Sequence, residues 1–294
     1  MMGKIEAFYN KWYKLLLIIP ALMLIFSVII IAQFYASHGD IFEKDVSLKG
    51  GISATLYLDT KVDLSDIQTL LKEELGDEVF VRELSAISGT QDGFLIETSI
   101  VDVENLERII EEGLTVDLNE ENFFVEETGS KLGEDFYRQM IRALLVAFIF
   151  MGIAILITFR SIIPSFAVIL SAGLDIIGTI ALIDLIGIRI SAAGVAALLL
   201  LVGYSVDTDV VLTTRVLKRK EGSIWNRLVG SLKTGLTMTV TALVAVGVGY
   251  LFATSLVFKQ MFLIIFLGLV VDIFSTYAMN AGILKWYAER KEHG

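Results

Sequence analysis

Two carboxylic acids, Asp207 and Asp209, lie inside an apolar run that begins near Ile190 and contains no basic residue before Arg215. If this run is helical, each residue adds about 1.5 Å, so Asp207 lies roughly 12 Å from Arg215. A short side chain cannot reach the charged end across that distance. Because a carboxylate in hydrocarbon costs several kcal/mol, acids at such a depth usually serve ion or proton transfer, or are paired inside a helical bundle.

Two further acids share this setting. Asp175 lies roughly 21 Å into the apolar run that begins at Ser161, and Asp272 lies roughly 20 Å before Lys285. Both acids are therefore expected near the middle of a bilayer-spanning segment. Because no Lys or Arg of the chain is expected at the same depth, the four carboxyl groups cannot all be ionised.

Four kinds of role remain open for these acids. They could be protonated and hydrogen-bonded to nearby hydroxyls, pair with basic residues of another subunit, exchange protons as a relay, or hold helices together as buried polar groups. Asp207 and Asp209 are about 200° apart around a helix, so they cannot share a face. Asp209 shares its face with Ser205 and Thr213. The candidates for a proton relay or for coupling are Asp207, Asp209, Asp175, Asp272, Thr208 and Ser205.

Six uncharged or nearly uncharged runs are long enough to cross a bilayer. They are 15–36, 143–159, 161–183, 190–212, 234–258 and 260–284. The mean hydropathy of +0.70 is typical of a membrane protein. The first run is too long for a cleaved signal, and no small-residue cleavage site follows it. The chain has no cysteine, which excludes disulfides and thiolate metal sites.

The distribution of Lys and Arg predicts the orientation in the membrane. One set of segment ends carries Lys4, Lys11, Lys14, Arg160, Arg215, Lys218, Arg219, Lys220, Arg227, Lys233, Lys285, Arg290 and Lys291, whereas the opposite short loops carry only Arg189 and Lys259. Both termini are therefore expected in the cytoplasm. The predicted divisions are a cytoplasmic arm (1–14), a first transmembrane helix (15–36), an extracytoplasmic domain (37–137), a five-helix bundle (138–285) and a cytoplasmic tail (286–294).

The segment 37–137 holds most of the 34 acidic residues of the chain, which we interpret as solvation of an extracytoplasmic domain. Alternation and helical spacing predict strands at 51–58, 79–87, 94–101 and 123–127, and helices at 64–75 and 103–114. Asp63 is the expected cap of the first helix. The order βαββαβ is that of the ferredoxin-like fold. No nucleophile motif, cofactor loop or metal cluster occurs in it, so we expect contacts with partners and no enzyme activity.

Several motifs resemble the SecD/SecF protein-export family of the resistance-nodulation-division superfamily, and its SecF type in particular. The most specific is Gly203-Tyr204-Ser205, followed by Val210-Val211 and ending in Arg215. Gly50-Gly51 is similar to the family's Asp-x-x-Gly-Gly turn, and Asp175-Ile176-Ile177 to its Asp-centred stretch. One transmembrane segment, a large outer domain and five more segments match the family over essentially the whole chain.

The resemblance implies a multi-pass protein of the cytoplasmic membrane, built as half of a resistance-nodulation-division bundle, without a cofactor or metal. It implies that the protein acts with a SecD-like subunit beside the Sec protein-conducting channel, in contact with membrane lipid and with the unfolded translocating polypeptide. Proton movement through the membrane acids would then drive rearrangement of the outer domain. Nucleic acid is not an expected partner, because the basic residues lie where topology requires them.

The chain also departs from the bacterial pattern. Asp207-Thr208-Asp209 replaces Asn-Asp-Ser, so the essential acid of the family falls on Thr208. Ser47 replaces the first Asp of the glycine turn. Met238 stands where bacterial members carry an intramembrane Arg, and Asp272 stands where a small residue is usual. These differences resemble the archaeal branch of the family.

Other classes remain as alternatives. The chain could be a scaffold that positions partners, with structural acids. An intramembrane aspartyl protease would also place acids on neighbouring helices, but Gly173-Leu174-Asp175 lacks the Gly-x-Gly-Asp pattern. Small-molecule exporters of the superfamily usually have about twice as many transmembrane segments and two outer domains.

Overall fold

The computed structural model describes residues 9, 12–58, 62–76, 79–85, 91–99, 102–218 and 222–292. The chain divides into two compact units, one formed by Lys44–Met140 and one by the residues on either side of it. Much of the predicted arm 1–14, the turn at 86–90, the end of the strand predicted at 94–101, the basic residues 219–221 and the end of the tail lie outside the described residues.

The elements follow one another along the chain in a simple order. They are α1 (Ile18–His38), α2 (Val46–Lys49), β1 (Gly51–Tyr57), α3 (Leu64–Leu75), β2 (Val79–Ser85), β3 (Gln91–Thr98), α4 (Val103–Leu114), β4 (Phe123–Thr128), α5 (Ser130–Phe159), α6 (Ile162–Ile186), α7 (Ala192–Lys218), α8 (Ile224–Phe252), α9 (Leu256–Phe274), a π-helix (Ser275–Asn280) and α10 (Ala281–Glu292).

Six helical stretches among the described residues are long and apolar enough to cross a bilayer, which confirms the predicted number. They are Trp12–His38, Ser130–Phe159, Ile162–Ile186, Ala192–Lys218, Ile224–Phe252 and Leu256–Lys291. The helices α6 and α7 are the most buried of the six, whereas α1, α5 and α8 expose large apolar side chains such as Phe150 and Val244.

The predicted bounds of the last two segments are wrong in detail. The fifth helix ends at Phe252, and Ala253 adopts an extended backbone, although the apolar run continues to Phe258. An apolar run does not mark the point at which the backbone leaves the helix, because short turns between spans are apolar too. The sixth stretch contains a π-helix that hydropathy did not predict.

The sheet unit contains four antiparallel strands in the order β2-β3-β1-β4, as the pairings of β1 with β3 and β4 and of β2 with β3 require. Its helices α3 and α4 have the predicted bounds. Asp63 caps α3 as expected, because its side chain accepts a hydrogen bond of 2.9 Å from Ser65 N. β3 begins before the predicted Phe94, because the register of β1 continues to pair Tyr57 with Gly93.

The core of the sheet unit lies between the sheet and these two helices. Alternate residues of the strands point to it, as the period of a strand requires. Its buried members are Ile52, Ala54, Leu56, Ile67, Leu71, Leu75, Val79, Val81, Phe94, Ile96, Leu106, Ile109, Ile110 and Phe123.

The glycine pair of the family motif serves close packing inside the sheet unit. Gly50 and Gly51 have φ values of +86° and +128°, which side chains rarely tolerate. A Cβ on Gly50 would lie 2.3 Å from Ser130 Cα, and one on Gly51 would lie 2.2 Å from Thr98 O. Only glycine therefore lets β1 start in contact with both the end of β3 and the start of α5.

Candidate functional site

Three acids of the helical bundle meet in a buried cluster, which we call the acid cluster: Asp175 of α6, Asp209 of α7 and Asp272 of α9. Each is at most 1% exposed. One more polar residue near the cluster, Thr239, comes from α8. The sequence places these acids more than thirty residues apart from one another, so only the bundle brings them together.

Asp175 is held by hydroxyl groups from two other elements. Ser205 of α7 donates a hydrogen bond to its Oδ2, and Ser275 of the π-helix donates to its Oδ1. Both serines are fully buried. Each carboxyl oxygen of Asp175 therefore has a donor. These hydrogen bonds link α6 to α7 and to the π-helix.

Asp209 is bound unevenly. Its Oδ1 accepts hydrogen bonds from Asn280 Nδ2 at 2.7 Å and from Thr276 Oγ1 at 2.9 Å. Its Oδ2 is buried without a hydrogen-bond partner among the described residues. A proton on Oδ2 would break neither of the two hydrogen bonds to Oδ1, so this oxygen can gain or lose a proton without rearranging its carboxyl group.

Asp272 is connected to Asp209 through one hydroxyl. Thr276 Oγ1 lies 3.0 Å from Asp272 Oδ1 as well as 2.9 Å from Asp209 Oδ1. A hydroxyl has a single proton to donate, so it can satisfy both carboxyl groups only if one of them is protonated and donates to it. Thr239 of α8 approaches the other oxygen of Asp272 at 3.5 Å.

No ion pair among the described residues neutralises the acid cluster. Arg215 points elsewhere: its Nη1 donates to Thr234 Oγ1 at 2.7 Å and to Gly230 O at 3.1 Å, which ties α7 to α8. Lys285 pairs with Glu289 at 3.7 Å. Among the described residues, hydroxyl and amide groups alone hold the three carboxyl groups.

The expectation of four buried carboxyl groups is wrong for Asp207. This residue is exposed on α7, as are Gly203 and Tyr204, whereas its neighbour Thr208 is buried beside Gly235 of α8. Asp207 and Asp209 lie on different faces of α7, as predicted, and only the face of Asp209 is packed in the bundle. Thr208 has no carboxyl group, and Asp175, Asp209 and Asp272 supply the acids of the cluster.

Sequence reasoning missed the residues of the π-helix. Ser275, Thr276 and Asn280 are all fully buried and all contact the acids, and Thr239 joins them from α8. A signal was present, because these residues follow Asp272 at three, four and eight positions, the spacing of one helical face. π-helical turns are often found at functional sites of helical proteins.

The fold and the acid cluster define a polytopic helical membrane protein whose bundle encloses ionisable groups. The family model described as "Protein export membrane protein SecD/SecF, C-terminal" matches residues 110–290. The chain therefore belongs to the SecD/SecF family of protein-export membrane proteins.

Archaeal relatives agree with this assignment. The chain is 35% identical to the protein-export membrane protein SecF of Pyrococcus furiosus over 95% of its own length and 92% of the relative. It is 34% identical to the SecF of Methanothermobacter thermautotrophicus over 95% of its own length and 94% of the relative. The chain that departs from the bacterial pattern is therefore similar to archaeal SecF proteins over most of its length.

Solved structures share the fold. A crystal structure of SecDF from Thermus thermophilus, described as a translocon-associated membrane protein, has a TM-score of 0.74 at 21% identity. SecDF in a form described as super-membrane-facing has a TM-score of 0.57 at 23% identity. The matches cover 95% and 94% of this chain, which spans 38% of the length of each SecDF chain.

Proposed function

We propose that the protein is an accessory subunit of protein export, acting with a SecD-like subunit beside the Sec protein-conducting channel in the cytoplasmic membrane. Membership of the family and the SecF relatives support this role. This chain spans 38% of the length of each solved SecDF chain, which supports a partner subunit that supplies the remaining part of such a protein. Lys and Arg are concentrated at one set of ends of the membrane-crossing segments, which supports an orientation with both termini in the cytoplasm.

The observation that carries a proton-coupled mechanism is the bridge from Asp209 through Thr276 to Asp272. Its two distances, 2.9 and 3.0 Å, let one proton pass between carboxyl groups with little movement of heavy atoms. Ser275 holds Asp175 close to this bridge, because its hydroxyl contacts Asp175 Oδ1 and also lies 3.2 Å from the backbone carbonyl oxygen of Asp272. Changes in the protonation of the acid cluster would shift the packing of α6, α7 and α9, because the hydrogen bonds of the cluster join these helices to one another, to the π-helix and to α8.

The sheet unit is proposed to be a ferredoxin-like extracytoplasmic domain that handles the emerging polypeptide. The element order βαββαβ and the strand order β2-β3-β1-β4 support this assignment. Its acidic surface supports exposure to water. In this proposal, movement in the bundle is transmitted to this domain while it binds unfolded chain.

The test measures export in cells that depend on the protein, with Asp175→Asn, Asp209→Asn and Asp272→Asn introduced singly. Each variant keeps the shape of the side chain but can no longer gain or release a proton as a carboxyl group does. We expect export to fall about tenfold or more, the change that corresponds to about 1.4 kcal/mol in an equilibrium. Asp63→Asn, in an exposed helix cap, is the matched control and should leave export unchanged. Normal export by all three variants would remove the proton role.

A scaffold is the second proposal, and a specific observation favours it. Five of the six carboxyl oxygens of the acid cluster have a hydrogen-bond donor from a neighbouring element, as buried groups that only hold helices together would have. In that case the Asn variants should lower the amount of SecD-like subunit that co-purifies. Loss of export with normal co-purification would instead support proton coupling.

A further inference from the structure

The chain leaves the helical bundle at Glu43, and two contacts hold it there. Glu43 is the last residue of the unit that contains the bundle, and the sheet unit begins at Lys44. The backbone oxygen of Glu43 accepts a hydrogen bond of 2.7 Å from Ile190 N, and its Oε1 accepts one of 2.7 Å from Arg189 Nε. Both donors lie in the turn between α6 and α7. A backbone contact and a side-chain contact on one residue fix both its position and its orientation.

This attachment is shielded from water. The Arg189 side chain is 14% exposed, and Phe42, directly before Glu43, is 1% exposed. Ile190 is fully buried. Exposed ion pairs contribute little because water competes for both charged groups. Burial of the arginine and of the two flanking apolar residues reduces that competition, so the exit of the chain is firmly attached to the turn.

Gln260 of α9 attaches the same turn to the rest of the bundle. Its Nε2 donates to Arg189 O, and its Oε1 accepts hydrogen bonds from the backbone N–H and the hydroxyl of Ser191. Ser191 Oγ also accepts a hydrogen bond of 3.1 Å from Gly194 N, which joins the turn to the start of α7. One side-chain amide therefore binds the residues on both sides of Ile190.

The helix that carries Gln260 also carries Asp272 of the acid cluster. α9 is continuous from Leu256 to Phe274, so these two residues lie roughly 18 Å apart on one rigid element. Packed helices of switching proteins shift by about 1–2 Å. A shift of that size at Asp272 would displace the Gln260 amide equally. The turn must follow, because a hydrogen bond does not survive stretching by such a distance.

We infer that Gln260, Arg189 and Glu43 are positioning residues that transmit movement of α9 to the segment that enters the sheet unit. Movement begins where the acid cluster holds α9 and passes along the helix to Gln260. It then reaches Glu43 through the 187–191 turn. The inference rests on the proposed function, in which movement of the bundle is passed to the outer domain.

The first experiment measures transmission without measuring export. Hydrogen exchange is followed in the peptide that covers residues 187–191 of the full chain, co-purified with the SecD-like subunit, with and without Asp272→Asn. We expect Asp272→Asn to change the exchange rate of this peptide about tenfold, since Ile190 N is bound to Glu43. In a Gln260→Met background the same substitution should leave the rate unchanged. A rate that does not respond to Asp272→Asn, or that responds equally in both backgrounds, would overturn the inference.

Two further substitutions on α9 guard against a general loss of packing. Gln260→Glu keeps an acceptor for Ser191 but has no N–H for Arg189 O, so it should abolish the response as the Met variant does. Lys259→Met, one residue earlier, is the control and should preserve the response. A response that survives in Gln260→Glu, or that Lys259→Met abolishes, would contradict transmission through the Gln260 amide.

Reversal of charge tests the last contact. Glu43→Arg and Arg189→Glu should each lower export about tenfold, and the two together should restore it, because the reversed pair can form the same salt bridge. The exposed pair of Arg108 and Glu112 is the matched control, and reversing one charge there should leave export unchanged. A double variant that exports no better than the single variants would overturn the role of the pair.

These results separate this inference from the proposed function. If all three Asn variants of the acid cluster export normally, the proton role fails. If those variants block export but Gln260→Met and Glu43→Arg export normally, the proposed function stands and only this inference fails.

Discussion

Ser205 of α7 and Asp175 of α6 are separated by 30 positions in the chain, yet the Ser205 hydroxyl donates a hydrogen bond to Asp175 Oδ2 in the fully buried centre of the bundle. The same carboxyl group accepts a second hydrogen bond from Ser275. These contacts give the Ser of the Gly-Tyr-Ser motif a physical role, since it satisfies an acid that no cation of the described residues neutralises.

Replacing Ser205 by Ala should destabilise the folded protein by about 1–3 kcal/mol, because one oxygen of a buried carboxyl group loses its donor. The measurement is thermal unfolding in mild detergent. Thr237→Ala is the control, since that hydroxyl is exposed and bonds only to Lys233 O in its own helix. An equal effect of the two substitutions would contradict the importance of the Ser205 contact.

Thr276→Val should slow export about tenfold while leaving the fold intact, because valine has nearly the same shape but cannot bridge Asp209 and Asp272. Translocation of a secreted precursor into inverted vesicles measures the effect. Thr276→Ser keeps the hydroxyl and should retain most of the rate. A fully active Val variant would show that the bridge is dispensable.

Asp45 makes the sheet unit sensitive to pH near neutrality. Burial raises the pKa of Asp45 to about 7, even though hydrogen bonds from Ser47 lower it. Between about pH 4 and pH 7 the folded state therefore binds more protons than the unfolded state, and stability falls as pH rises. Hydrogen exchange of residues 46–57, corrected for intrinsic rates, should show protection that is greater at pH 5 than at pH 8.

Asp45→Asn should remove this dependence, because asparagine still caps a helix but does not titrate. Asp63 provides the comparison, since it caps α3 through the same hydrogen bonds from a Ser two residues on. Those bonds lower the pKa of the exposed Asp63, so its contribution is lost only on acidification and is flat between pH 5 and pH 8. A pH dependence that survives in Asp45→Asn would assign it to another group.

Gly51→Ala should destabilise the sheet unit by several kcal/mol, since the new Cβ would lie 2.2 Å from Thr98 O with φ at +128°. Gly76→Ala is the matched control: its φ is +83°, but a Cβ there meets no atom within 4 Å. The control should cost about 1–3 kcal/mol, the usual penalty of a backbone conformation that side chains rarely adopt. Urea unfolding of the two variants, followed by circular dichroism, distinguishes steric contact from backbone strain.

Lys285→Met should loosen the contact between the first helix and α10. The Lys285 ammonium lies 4.4 Å from the ring centroid of Tyr13 and 4.9 Å from that of Tyr9, and Tyr13 also donates to Glu289 at 3.2 Å. Loss of these cation–π contacts should cost about 1–2 kcal/mol. Faster trypsin cleavage near the N-terminus would report it, with Arg290→Met, an exposed site, as the control.

Local patterns in the sequence were sufficient for the helices α3 and α4, for the Asp63 cap and for the six membrane-crossing segments. Each depends on periodicity, capping chemistry or hydrophobic length, all of which act between residues close in the chain. The resemblance to the SecD/SecF family rested on motifs of the same kind. Its glycines and its Ser205 were recognised from the sequence, although their contacts were not.

Tertiary structure decided which acids meet. Helical spacing put residues 207 and 209 on different faces, but only the packing of α7 buries Asp209 and exposes Asp207. The π-helix brings Thr276 and Asn280 to Asp209 from about seventy positions away. Whether a carboxyl group is buried, bridged or left exposed depends on which sides of separate helices are packed together, and no pattern within one helix contains that information.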